Sequence, residues 1–180
     1  MVIIIPCYNE YERLNKEAIT AFLRSHPSVK IIFTDDASSD STPSLLESIR
    51  VAFLPQVYIC RLLTNCGKGE AVRKAVLYAF NKGLPFSKIA YIDADLSVSL
   101  EECLLLSTKL NAKRVFVFGS RISKIDNAIT RSDFRHYSGR LVATVIANLL
   151  GIPVYDTQCG CKVFDAQLAK SLFIEPFISR

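Results

Sequence analysis

Five short apolar runs separated by helix-patterned stretches leave this chain few ways to fold. The runs cover residues 2–5, 29–34, 57–63, 88–92 and 115–119, and each is bounded by turn residues. Between them, Leu14, Ala18, Phe22 and Leu23 mark one helical face. Asp40 or Ser41 caps a second helix with Pro43 in its first turn, and residues 69–82 form a third. Ser99 and Glu102 have the spacing of a capping box ahead of Cys103-Leu104-Leu105-Leu106. Strands alternating with helices predict an α/β fold, a single domain whose mostly parallel central sheet carries helices on both faces. No internal repeat or low-complexity linker interrupts the pattern, and the polar, weakly patterned stretch 122–132 reads as a mobile loop.

Chain length agrees with one core, since 180 residues suffice for a single domain. Half of the residues are hydrophobic, yet no segment offers the roughly 20 uninterrupted apolar residues of a membrane-spanning helix. Residues 141–154 come closest and are broken by Asn148, Gly151 and Pro153. The opening Met1-Val2-Ile3-Ile4-Ile5-Pro6 lacks the basic flank of a signal peptide, so the expected location is cytoplasmic. With no secretory signal, Cys7, Cys60, Cys66, Cys103, Cys159 and Cys161 are expected to be reduced thiols serving as small core residues. The net charge of +5 is uneven. Lys109, Lys113, Arg114, Arg121, Lys124, Arg131, Arg135 and Arg140 face only Asp126 and Asp133, which suits an anionic ligand or an anionic membrane surface. A helix over 134–150 with Arg135 and Arg140 beside Phe134, Leu141, Val145 and Leu149 could lie at a lipid headgroup boundary or face the core. Nucleic acid is disfavoured, because no binding motif or interleaved stacking aromatics accompany the charge.

The chemistry gathers at the ends of the apolar runs. Asp93-Ala94-Asp95 follows the fourth, so two carboxylates one residue apart leave a buried strand on one face and could hold a divalent ion such as Mg²⁺ or Mn²⁺. A solvated turn is the plainer alternative. Pro6-Cys7-Tyr8-Asn9-Glu10 ends the first run and Asp35-Asp36-Ala37-Ser38-Ser39-Asp40 the second. Tyr8 could lie against a base or ribose while a carboxylate accepts nucleoside hydrogen bonds. Helix capping accounts for Asp40, but not for the adjacent acids Asp35 and Asp36. Asn65-Cys66-Gly67-Lys68-Gly69 opens the third helix, where glycine-permitted approach, a helix N-terminus and Lys68 favour phosphate; a simple turn is the alternative.

In order, these segments resemble the inverting glycosyltransferases of family 2, together with Gly119-Ser120-Arg121 and Asp156-Thr157-Gln158-Cys159-Gly160-Cys161-Lys162. The likeness is greatest to the branch that makes polyprenyl-phosphate sugars, and the last motif is most similar to dolichyl-phosphate glucosyltransferases. The resemblance implies a GT-A fold occupying residues 1–180 and continuing past Arg180. It implies that Pro6, Tyr8, Glu10 and Asp36 contact the nucleoside, and that Lys68 lies near the diphosphate. Asp93, Ala94 and Asp95 would hold sugar, diphosphate and metal, with Asp93 and Asp95 as the metal ligands. Arg121 would meet a donor or acceptor phosphate, and Asp156 and Gln158 match the acceptor-side motif. For these last two, a capped turn before Val163-Phe164 is an equal alternative. The implied reaction moves a hexose from a nucleotide-diphosphate sugar, UDP-glucose or a similar donor, to a polyprenyl or dolichyl phosphate at the cytosolic face of a membrane.

Three departures from the family pattern carry expectations of their own. Ala37 stands in place of the usual glycine, so that turn is expected to avoid positive φ. Cys161 replaces an aromatic. Ser97 replaces a metal-binding glutamine of mannosyl-transferring relatives, which argues against a guanosine-mannose donor. Rival readings are transfer to a sugar hydroxyl, with Asp156 as base, and a nucleotide-sugar-binding module without turnover. A haloacid dehalogenase-type phosphatase is disfavoured because its Asp-x-Asp strand comes first, whereas here Asp35-Asp36 precedes Asp93.

Overall fold

The computed structural model describes residues 1–119 and 159–176. Over these residues the chain runs β1 (Val2–Cys7), α1 (Lys16–Ser25), β2 (Lys30–Asp35), α2 (Thr42–Ala52), β3 (Val57–Arg61) and α3 (Lys68–Asn81). It continues through β4 (Lys88–Ile92), α4 (Leu100–Ser107), β5 (Phe116–Phe118), β6 (Cys161–Asp165) and α5 (Ala166–Phe173). The six strands form one sheet in the order β3-β2-β1-β4-β6-β5. β1 pairs in parallel with β2 and β4, and β2 with β3, while β6 runs antiparallel to both β4 and β5. The mostly parallel sheet expected from the sequence is therefore present, with one reversed strand, β6, set between β4 and the edge strand β5.

Helices on both faces explain why the central strands carry consecutive apolar residues, as in Val2-Ile3-Ile4-Ile5 and Ile31-Ile32-Phe33, rather than one at every second position. Ile3, Ile5, Ile31 and Phe33 pack with Ile19, Phe22, Leu46, Ile49 and Cys103 beneath α1, α2 and α4. Val2, Ile4 and Ile32 turn the other way, to Val72, Ala75, Val76, Ala79, Ala169 and Phe173 of α3 and α5. Each fully buried Ile, Leu or Phe contributes about 1.5–3 kcal/mol through removal from water.

Several local expectations change. On α1 the buried residues are Ile19, Phe22 and Leu23, while Ala18 faces solvent. The reason is the cap: Asn15 starts the helix and its side chain accepts the Ala18 N–H, which sets Ala18 in the exposed first turn. α3 begins at Lys68, one residue early, and β3 stops at Arg61, leaving Leu63 fully exposed. β6 is a sixth strand that the five apolar runs did not include. Ser99 and Glu102 do form the capping box. None of the six cysteines is in a disulfide, and all but Cys66 are buried. Among the described residues no helix is long and apolar enough to cross a membrane. The loop 122–132 and the helix 134–150 lie outside the described residues.

Candidate active site

Strand order decides where a ligand can sit. From β1 the chain moves outward through β2 and β3, then returns to the other side of β1 with β4. Loops leaving β1 and β4 thus diverge, opening a crevice at their carboxyl ends. A cleft of about 240 Å³ lies there, lined by Pro6, Tyr8, Glu10 and Asp36 and by Lys68, Asp93, Ala94 and Asp95. These are the eight donor-side residues singled out from the sequence, drawn from four separate segments. Cys7, Arg13 and Ala71 complete the wall. Arg121, Asp156 and Gln158 lie outside the described residues.

Backbone strain concentrates around this cleft. Asn9, Ala37 and Leu96, in the loops after β1, β2 and β4, have φ of 53°, 60° and 49°. Such values cost an L-residue about 1–2 kcal/mol and persist where neighbouring bonds overdetermine the turn. Ala37 therefore takes the positive φ that the sequence reading expected it to avoid. The Asp35 carboxylate accepts the Ser38 N–H at 3.0 Å while the Asp36 N–H donates to Cys7 O at 2.9 Å, so both flanks of Ala37 are pinned. Asn9 Oδ1 accepts the Ser39 N–H at 2.8 Å and ties the β1 loop to the β2 loop. Leu96 N–H donates to Asp93 O at 3.0 Å, and Asp95 Oδ1 accepts Ser97 N–H at 2.9 Å, giving the Asp-Ala-Asp segment a tight turn.

The acids are held in different ways. Asp36 is only 3% exposed, and its two oxygens accept the N–H groups of Cys66 at 2.8 Å and Gly67 at 2.9 Å. It anchors the loop that delivers Lys68. Asp35 closes its own turn. Both adjacent acids thus have backbone duties that helix capping alone had not explained. Glu10 Oε1 accepts from Arg13 at 2.8 Å, while Oε2 is buried and has no hydrogen-bond partner. Burial pushes the Glu10 carboxyl above its ordinary range; Asp95 and Asp40 reinforce the shift and Arg13 opposes it. Asp93 Oδ1 forms an ion pair with Lys68 Nζ, yet it too is buried without a hydrogen bond of good geometry.

Gly160 is the residue whose role the sequence reading missed. Its carbonyl accepts the Asp93 N–H at 3.1 Å, and a Cβ built on it would stand 2.6 Å from Asp93 Cγ. Only a hydrogen side chain lets β6 approach the carboxylate so closely. The available signal was the alternation Cys161-Lys162-Val163-Phe164, a strand pattern with a glycine at its mouth. Arg13 was also passed over, although its spacing of three from Glu10 is that of a helical ion pair.

Charge determines what this cleft can accept. Glu10, Asp36, Asp93 and Asp95 stand against Arg13 and Lys68, so carboxylates outnumber cations. No group of three or more His, Cys, Asp or Glu among the described residues could hold a metal alone. Asp93 and Asp95 nevertheless fit a divalent ion that takes the rest of its shell from phosphate and water, since among the described residues Asp93 Oδ1 is buried with no hydrogen bond and is neutralised only by the Lys68 ammonium.

The fold is that of the GT-A glycosyltransferases. A mannosyltransferase from Pyrobaculum calidifontis, solved with GDP-Man and Mn²⁺, matches with a TM-score of 0.62 at 16% identity, covering 95% of this chain and 46% of that one. The chain belongs to glycosyl transferase family 2, whose family model matches residues 2–173. It is 27% identical to a dolichyl-phosphate beta-glucosyltransferase of Trichomonas vaginalis, over 98% of this chain and 55% of the relative. It is 26% identical to a polyprenol monophosphomannose synthase of Mycolicibacterium smegmatis, over 95% and 63%. The chain thus spans little more than half the length of these curated relatives.

Proposed function

We propose that this chain is the donor-binding catalytic domain of an inverting hexosyltransferase that uses a nucleotide-diphosphate sugar, UDP-glucose or a close analogue, and a polyprenyl or dolichyl phosphate acceptor. The observation that carries the reading is the surplus of carboxylates in a cleft built at a sheet's switch point. A diphosphate brings negative charge to a wall that already has an excess, and like charges at these distances repel. A divalent ion reconciles the two. The names of the two relatives support the lipid-phosphate acceptor.

Asp93 and Asp95 would hold Mg²⁺ or Mn²⁺, which supplies stabilisation of the charge that develops on the departing nucleoside diphosphate. Tyr8 and Pro6 offer a flat apolar wall to the nucleoside, and Glu10 Oε2 offers an acceptor to its N–H or O–H groups. Ala94, between the two acids, leaves room for the sugar. Lys68 supplies a cation for the diphosphate. A phosphate acceptor with a second pKa of about 6 is largely ionised at neutral pH and attacks with little help from a base. Arg121, Asp156 and Gln158 belong to the acceptor side of this proposal.

Calorimetry with UDP and with GDP, each with and without Mn²⁺, tests the donor. UDP should bind with Mn²⁺ and weakly without it, and Asp95→Asn should weaken metal-supported binding at least about tenfold. Transfer of labelled glucose from UDP-glucose to dolichyl phosphate should fall with it. Nucleotide binding indifferent to both metal and Asp95 would overturn the reading. Metal-supported binding with no turnover on any acceptor would leave a binding module instead.

A further inference from the structure

We propose that Lys68 is a place-holding cation: its ammonium occupies Asp93 until a metal-bound diphosphate arrives, then transfers from the carboxylate to the phosphates. This rests on the metal-dependent donor reading above and assigns the order in which that site fills.

The ammonium of Lys68 is paired with Asp93 Oδ1, one of the two oxygens available to a metal from that side chain. That oxygen is buried and accepts no well-aligned hydrogen bond, so Lys68 neutralises it by charge rather than by a directional bond. Gly160 lies so close to the same carboxyl group that a Cβ built on it would overlap Asp93 Oδ2, the oxygen that Lys68 leaves unpaired in this ion pair. A divalent ion and an ammonium cannot share one oxygen without strong repulsion. One must leave, and Lys68 is built to do so. Its side chain is 53% exposed. It is the first residue of α3, after Gly67 with φ of 81°, at a helix start with no side-chain cap. Asp36 anchors the backbone of Cys66 and Gly67, so the stem pivots from a fixed base.

Consequences follow from linkage. Metal alone must displace Lys68 and gains nothing in return, whereas metal with a nucleoside diphosphate gives Lys68 a new partner. Metal and nucleotide therefore bind cooperatively, each raising the affinity of the other by the same factor. The pair also keeps a free divalent ion from resting in an empty site.

Manganese binding to the 180-residue chain, read by electron paramagnetic resonance with and without UDP, tests this without any measurement of turnover. Lys68→Met should bind Mn²⁺ alone about fivefold more tightly than wild type, the size expected for loss of a half-exposed competing ion pair. The gain in Mn²⁺ affinity on adding UDP should shrink by at least the same factor. Lys68→Arg, which keeps the charge, should stay near wild type, and Asp93→Asn should abolish the difference. If UDP promotes Mn²⁺ binding in wild type but Lys68→Met leaves the affinity for Mn²⁺ alone unchanged or weaker, the place-holder is wrong and the metal reading stands. If wild type binds no Mn²⁺ even with UDP, both fall.

Discussion

β1, β2 and β4 bring carboxylates to the cleft, whereas β6, running the opposite way, brings a glycine. These three parallel strands end at the cleft, and the loops leaving them carry Glu10, Asp36, Asp93 and Asp95. β6 meets β4 head to tail, with Ile92 opposite Cys161, so its entrance abuts the exit of β4. What it contributes there is proximity. One side of the site supplies charge, and the other restricts where that charge can stand. Substitutions on the two sides should therefore fail differently, by misplacement at Gly160 and by loss of anchoring or altered charge at the strand ends.

Gly160→Ala gives the largest expected effect. The new methyl falls on the Asp93 carboxyl, which must move, and a shift approaching 1 Å of a positioning group can cost about 100-fold in transfer rate. Thermal unfolding should drop modestly, by about 1–3 kcal/mol of overpacking, so the variant stays folded. A normal rate would remove the claim that β6 positions Asp93. Asp36→Asn comes next. It exchanges a carboxylate accepting two backbone N–H groups for an amide that can accept only through one oxygen, and should lower stability in urea by about 2 kcal/mol. An unchanged midpoint would mean that the loop before α3 is held elsewhere.

Glu10→Gln tests the charged side by its pH dependence. Because the folded-state pKa of Glu10 is raised, the native chain binds that proton more tightly than the unfolded chain does. Its contribution to stability is greatest at acid pH and is lost as pH rises through the folded pKa. The glutamine variant should therefore melt above wild type at neutral pH, with the gap closing toward the ordinary carboxylate range. A gap that widens in acid would reverse the sign and sink the argument. Smallest is Ala37→Gly. Relief at φ of 60° exceeds the added freedom of the unfolded chain by about 0.5 kcal/mol, a small rise in melting temperature. A fall would mean that the turn relaxes in solution.

Much of this was legible in the residues themselves. Unbroken apolar runs such as Ile3-Ile4-Ile5 require cover on both faces, and Asp93-Ala94-Asp95 after a buried run places acids at a strand's mouth whatever the rest of the chain does. Both follow from local periodicity, which a linear sequence displays directly. Other features depended on groups distant in the chain. Ala37 is held at positive φ between the Ser38 N–H donated to Asp35 and the Asp36 N–H donated to Cys7. Asp36 is occupied by the amides of Cys66 and Gly67, some 30 residues on. Gly160 matters because β6 pairs antiparallel with β4 and brings it onto Asp93. Sequence alone determined which residues could do the chemistry, because residue type and spacing carry charge and exposure. Tertiary structure decided which of them meet, since close approach and bond competition exist only once separate strands share one edge.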